Sequence, residues 1–127
     1  MRLLSLTLIT YLFSAFVLAE RISYTITLKD HLFYPSQLII PANRKIKLII
    51  INVDESIEEF DSFDLNREKV LFPHSKNSIY IGPLPEGKYD FFGEYNPSSA
   101  RGSVIVIDQE NVIDQESVID QRNSHAH

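Results

Sequence analysis

The sequence predicts an all-β chain folded as a β-sandwich, and three observations lead there. "ISYTITL" (22–28) alternates Ile22, Tyr24, Ile26 and Leu28 with Ser23, Thr25 and Thr27, the period-two pattern of a strand with one buried side. Further short β-rich runs follow, punctuated by Pro73, Pro83, Pro85, Gly87, Pro97 and Gly102. No stretch carries the periodicity of a long amphipathic helix. Many short strands at this spacing point to an antiparallel sandwich.

The elements take their places in order. "SQLIIPAN" (36–43) gives a short strand and a turn. "KIKLIIINV" (45–53) begins by alternating and then turns apolar throughout, as a strand central in its sheet does. "ESIEEFDSFD" (55–64) reads as a strand edge and loop. "REKVLF" (67–72), "SIYIGPL" (78–84), "GKYDFFG" (87–93) and "GSVIVID" (102–108) complete the set. Phe60, Phe63, Tyr89, Phe91, Phe92 and Tyr95 gather around these segments, and most are expected in the core.

Both ends differ from this body. Met1 and Arg2 precede an apolar run to Ala19, which closes on Val17-Leu18-Ala19 before Glu20. A positive start, an apolar centre and a small-residue end predict a signal peptide over 1–19, cleaved after Ala19. The folded domain is then 20–108, exported and without a membrane span after cleavage. Cleavage removes Arg2 and no acid, so the formal charge of -5 becomes about -6. An acidic domain suits cations and excludes nucleic acid, whose phosphates need a basic face. At the other end "VIDQEN", "VIDQES" and "VIDQRN" repeat from Val106 to Asn123 with no new apolar partner. Residues 109–127 are expected to be a disordered tail, with His125 and His127 offering weak metal capture at most.

The chain has no cysteine, and its single methionine is Met1. Every thiolate metal site is therefore excluded, type 1 copper included. Oxygen donors are plentiful. "DESIEEFDSFD" packs Asp54, Glu55, Glu58, Glu59, Asp61 and Asp64 together, with Glu68 and Glu94 beyond. Crowded carboxylates disfavour one another's charge, and a hard cation relieves that repulsion. The alternative is a solvated acidic edge paired with Arg67, Lys69 and Arg101, where exposed pairs contribute roughly 0–1 kcal/mol each. His31 lies before the second strand, and His74 reads as a turn residue. No histidine and acid stand where they would activate Ser98 or Ser99, and no phosphate loop appears, so no catalytic residue is assigned.

Three stretches, "FYPSQLIIPANRKIKLIIINVD" (33–54), "EEFDSFDLNREKVLFP" (58–73) and "IGPLPEGKYDFFGEYNPSSARGSVIV" (81–106), resemble the cupredoxin-like domains of EfeO-type periplasmic iron-uptake proteins. The resemblance implies a cupredoxin-like Greek-key β-sandwich, a periplasmic location and work beside an inner-membrane iron permease or another periplasmic iron-uptake partner. It implies an iron or copper ion as cofactor or cargo. It also matches Glu58 to the upstream histidine of blue-copper sites, Gly93 to the cysteine and Asn96 to the next histidine, with Ala100 or Arg101 near the methionine position. The loops after the central strand and before the last strand are then expected to meet, with Glu58, Glu59 and Glu94 as the leading metal ligands. Asp61, Glu68, His31 and Asn96 are further candidates. A metal-free docking subunit acting by protein contact is the alternative, and a ferroxidase role lacks a redox centre among these side chains.

Overall fold

Alternating apolar and polar side chains build nine strands within residues 22–108 and 110–111, the part of the chain that this computed structural model describes. They are β1 (Ile22–Lys29), β2 (Leu32–Tyr34), β3 (Gln37–Pro41), β4 (Ile46–Asn52), β5 (Glu58–Ser62), β6 (Arg67–Leu71), β7 (Ser75–Ile81), β8 (Gly87–Gly93) and β9 (Arg101–Ile107). The expected signal peptide over 1–19 and nearly all of the expected tail, with His125 and His127, lie outside the described residues. Among the described residues, no helix is long and apolar enough to cross a membrane.

The strands form a four-stranded sheet, β2-β1-β4-β7, and a five-stranded sheet, β3-β9-β8-β5-β6. β1 pairs with β4, and β3 with β9, in parallel, while the other pairings are antiparallel. The sandwich is thus mixed rather than purely antiparallel. Strand alternation alone carries no pairing direction; here the chain visits the second sheet (β3) between β1 and β4, and a parallel neighbour needs such a crossover.

Individual elements depart from expectation in instructive ways. Residues 55–64 do not form a sheet edge, because β5 lies between β8 and β6. Its inward side chains Glu58, Phe60 and Ser62 are buried, and the run of acids hides that inner face. β2, three residues long, is too short to show a period. β4 takes the central place expected of it, between β1 and β7, with Ile46, Leu48 and Ile50 buried.

Between the sheets lies one core, to which β1 gives Ile26 and Leu28, β3 gives Leu38 and Ile40, and β9 gives Val104 and Val106. Fully burying such a side chain contributes about 1.5–3 kcal/mol. Phe33, Phe60 and Phe91 form a ring cluster with centroid separations of 5.1–6.1 Å that ties β2, β5 and β8 together. Phe63 and Tyr95, in contrast to the expected core placement, are 80% and 52% exposed. Phe63 follows the last residue of β5 and stacks on Phe92 outside the sandwich, at 5.6 Å.

Asn52 ends β4 fully buried. Its Nδ2 donates to the Ser56 and Leu71 carbonyls at 2.9 and 3.0 Å, and its Oδ1 accepts from the Asp54 N–H at 2.9 Å. The loop entering β5 is thereby fastened to β6. Asn52→Ala leaves those buried groups without partners, and denaturant unfolding should show a loss of about 1–3 kcal/mol.

Candidate functional site

One end of the sandwich gathers the start of β5, the end of β8 and the loop 94–100. The loop closes on itself and on β5 through backbone bonds: Gly93 N–H to Ala100 O (2.8 Å), Ala100 N–H to Asn96 O (2.9 Å) and Glu94 N–H to Glu59 O (2.9 Å). Distant segments of the chain therefore share this end, as the resemblance implied.

Strand alternation sends Glu58 inward, where it is 1% exposed. Its Oε1 accepts from the Glu59 N–H at 2.9 Å and the Tyr95 N–H at 2.8 Å. Its Oε2 accepts from Asn96 Nδ2 at 2.8 Å. All three partners donate, the arrangement that solvates a carboxylate away from water. Gly93 completes the cradle, because a Cβ there would lie 2.6 Å from Glu58 Cδ and 2.8 Å from Ala100 Cβ.

Glu58, Gly93 and Asn96 are positions matched above to blue-copper ligands, Ala100 is one of the two near the methionine position, and the structure does bring these four together. They do not fit copper. The thiolate position has no side chain, the methionine position has a methyl group (Ala100) or a guanidinium bound to the Pro97 carbonyl (Arg101), and the remaining two side chains are hydrogen-bonded to each other. No electron-transfer step through copper follows from this donor set.

A second group forms on the outer face of the five-stranded sheet. Glu59 and Asp61 project from β5 on the side opposite Glu58, and Asp61 stands across from Glu68 of β6. Carboxylate oxygens of Glu59, Asp61 and Glu68 lie within 4.8 Å of one another. Like charges directly opposite on neighbouring strands are destabilising. The nearby cations do not neutralise them: Arg67 donates to the Tyr80, Leu65 and Asn66 carbonyls, and Arg101 to the Pro97 carbonyl. Among the described residues the ion pairs are His31–Asp54 and Lys88–Asp90. The charge-paired acidic edge is therefore not what forms around these three acids.

The other candidates lie elsewhere or act differently. His31 sits on the Asp54 carboxylate, which also accepts the Asp30 and His31 N–H groups at 2.7 and 3.0 Å. Asp54 is thus a turn-capping acid. Glu94 joins the site through its backbone and is exposed. Asn96 serves Glu58. Tyr95, whose N–H completes the Glu58 cradle, places its hydroxyl 3.4 Å from Glu59 Oε2. Loss of solvation raises the Tyr95 hydroxyl from its ordinary value of 10.0, and the charge and hydrogen bond of Glu59, then the charges of Glu58 and Glu94, add to it. Asn52 and the Tyr95 amide carry no sequence signal that marks their roles.

A family model of the cupredoxin-like domain matches residues 2–106. A relative in Rickettsia prowazekii (strain Madrid E), uncharacterized protein RP394, is 48% identical over 83 residues, covering 65% of this chain and 66% of the relative, a little under two thirds. Among solved structures, the periplasmic domain of cytochrome oxidase subunit II (CoxB) of Bradyrhizobium japonicum gives a TM-score of 0.68 at 10% identity, over 80% of this chain and 94% of that one. The blue copper protein auracyanin A of Chloroflexus aurantiacus gives 0.60 at 9%, over 69% and 100%. The metal binding domain of the Cu(I)-exporting ATPase CopA of Streptococcus pneumoniae D39 gives 0.60 at 12%, over 68% and 85%. At such identities the likeness is one of fold.

Two outcomes test this geometry. Gly93→Ala should cost about 1–3 kcal/mol by crowding Glu58. In a Glu58→Ala background the same change should cost less, and a double-mutant cycle by chemical denaturation measures that coupling. Tyr95 should ionise above its ordinary value in the folded chain, as followed by tyrosine ¹³Cζ shifts, and Glu59→Gln should bring it down. The sign for stability follows: the folded state holds the Tyr95 proton more tightly, so its contribution is present below pH of about 10 and is lost as pH rises through the raised value. Tyr95→Phe should flatten that alkaline loss.

Proposed function

The chain belongs to the cupredoxin-like domain family, and from that premise we propose that it is an exported metal-handling protein rather than an electron carrier. It binds a hard cation, iron foremost, through Glu59, Asp61 and Glu68, and passes it to an inner-membrane iron permease or a periplasmic iron-uptake partner. The observation that carries this reading is the three-carboxylate group, with oxygens within 4.8 Å and none of the three acids in an ion pair among the described residues. Metal–oxygen bonds of about 2.0–2.6 Å put ligand oxygens up to about 4–5 Å apart, so one ion reaches all three. Oxygen donors suit iron(III) or manganese(II) better than copper(I). The resemblance to EfeO-type domains supports the pathway and the periplasmic location. We assign no catalytic residue.

A second reading has its own support. Phe63 and Phe72 are 80% and 61% exposed, and Phe63 stacks on Phe92. Such surface aromatics suit a metal-free docking subunit.

Titration of the intact chain with manganese(II) and with iron(III) citrate separates the two. Saturable binding should weaken tenfold or more in Glu59→Gln and in Glu68→Gln, and stay unchanged in Glu94→Gln and after removal of residues 109–127. Binding that ignores Glu59 and Glu68 refutes the site, and no binding at all gives the credit to docking.

A further inference from the structure

We infer that Glu58 takes the place of a metal ion at the β5–β8 end: its carboxylate ties together the segments that ligands to one ion would tie, and closes the position to copper. This inference is independent of the outer-face ion proposed above.

Three observations converge on it. The two oxygens of one side chain hold the β5 backbone at Glu59, the loop backbone at Tyr95 and the Asn96 side chain, all at 2.8–2.9 Å. An ion gathers ligand lone pairs around a positive centre; here a negative centre gathers N–H donors around itself. The polarity is inverted: of the matched positions, Asn96 turns an amide donor inward, Glu58 is itself the acceptor and Gly93 has no side chain.

Gly93 gives the second observation. It carries no positive φ, so its backbone does not require glycine. What requires glycine is space, since a Cβ would meet Glu58 Cδ at 2.6 Å. Any side chain at 93, a cysteine included, is incompatible with the carboxylate where it stands. The third observation is burial: Glu58 is 1% and Ala100 0% exposed, so the carboxylate itself presents almost no surface to an incoming ion. Copper would have to break three hydrogen bonds and would receive neither thiolate nor imidazole in return. The consequence is that the 94–100 loop holds its shape without metal.

Hydrogen exchange at the Tyr95 and Glu59 amides of the intact chain, with and without excess copper(II), tests this. Both amides should be protected in the metal-free chain, and copper should not be needed for that protection. Glu58→Ala removes both acceptor oxygens and should speed Tyr95 exchange tenfold or more. Should that variant not fold, Asn96→Ala keeps the carboxylate, removes one donor and should speed it severalfold. The inference is overturned if Tyr95 is protected only after copper is added. It is equally overturned if Tyr95 exchange is unaltered in both variants. Copper captured elsewhere leaves the Tyr95 amide as it was, which is the expected result.

Discussion

A carboxylate taken out of water must find donors nearby, and the need of Glu58 for them organises one whole end of this molecule. An unpartnered charge at such a depth costs several kcal/mol. Its three donors come from its own strand and from a loop thirty-seven and thirty-eight residues further along. The loop must therefore arrive with Tyr95 and Asn96 in register, β8 must end on a residue without a side chain, and Glu94 must hold β5 through its backbone. A single ionic requirement thus reaches from side-chain chemistry to the path of the chain.

The two sheets make that requirement affordable. Crossovers between them place β5 inside its sheet rather than at an edge, so Glu58 shares the buried face of β5 with Phe60 and lies over Gly93 together with Ala100. Asn52 fastens the loop before β5, and the ring cluster fastens β2, β5 and β8. A chain without cysteine and with no methionine beyond Met1 has no soft ligand to set at this end. Hydrogen bonds between carboxylate and amides supply the cross-links instead.

One step along β5 changes the fate of a carboxylate. Glu58 turns inward and accepts from three donors; Glu59 turns outward beside Asp61 and Glu68, and among the described residues it forms no ion pair. The strand's period of two separates a structural acid from candidate ion ligands within the dipeptide Glu58-Glu59. Inner-face and outer-face acids are thus kept apart by the pleat, not by distance along the chain, even though Asp61 on the outer face is itself buried.

How much of this was legible in the sequence varies with the range of the interaction involved. The β-rich runs and the central place of β4 follow from alternation in "ISYTITL" and "KIKLIIINV", because burying one face of a strand is a local demand. The missing thiolate chemistry follows from composition. The meeting of segments 58–59 and 93–96 came from a resemblance spanning both, not from either alone. Which acid turns inward, why position 93 must be glycine, that Asp54 caps a turn, and that Arg67 and Arg101 bind carbonyls instead of carboxylates were decided only in the folded chain. Each depends on partners far away in sequence, and a row of like acids looks the same until packing assigns donors to some and leaves others without.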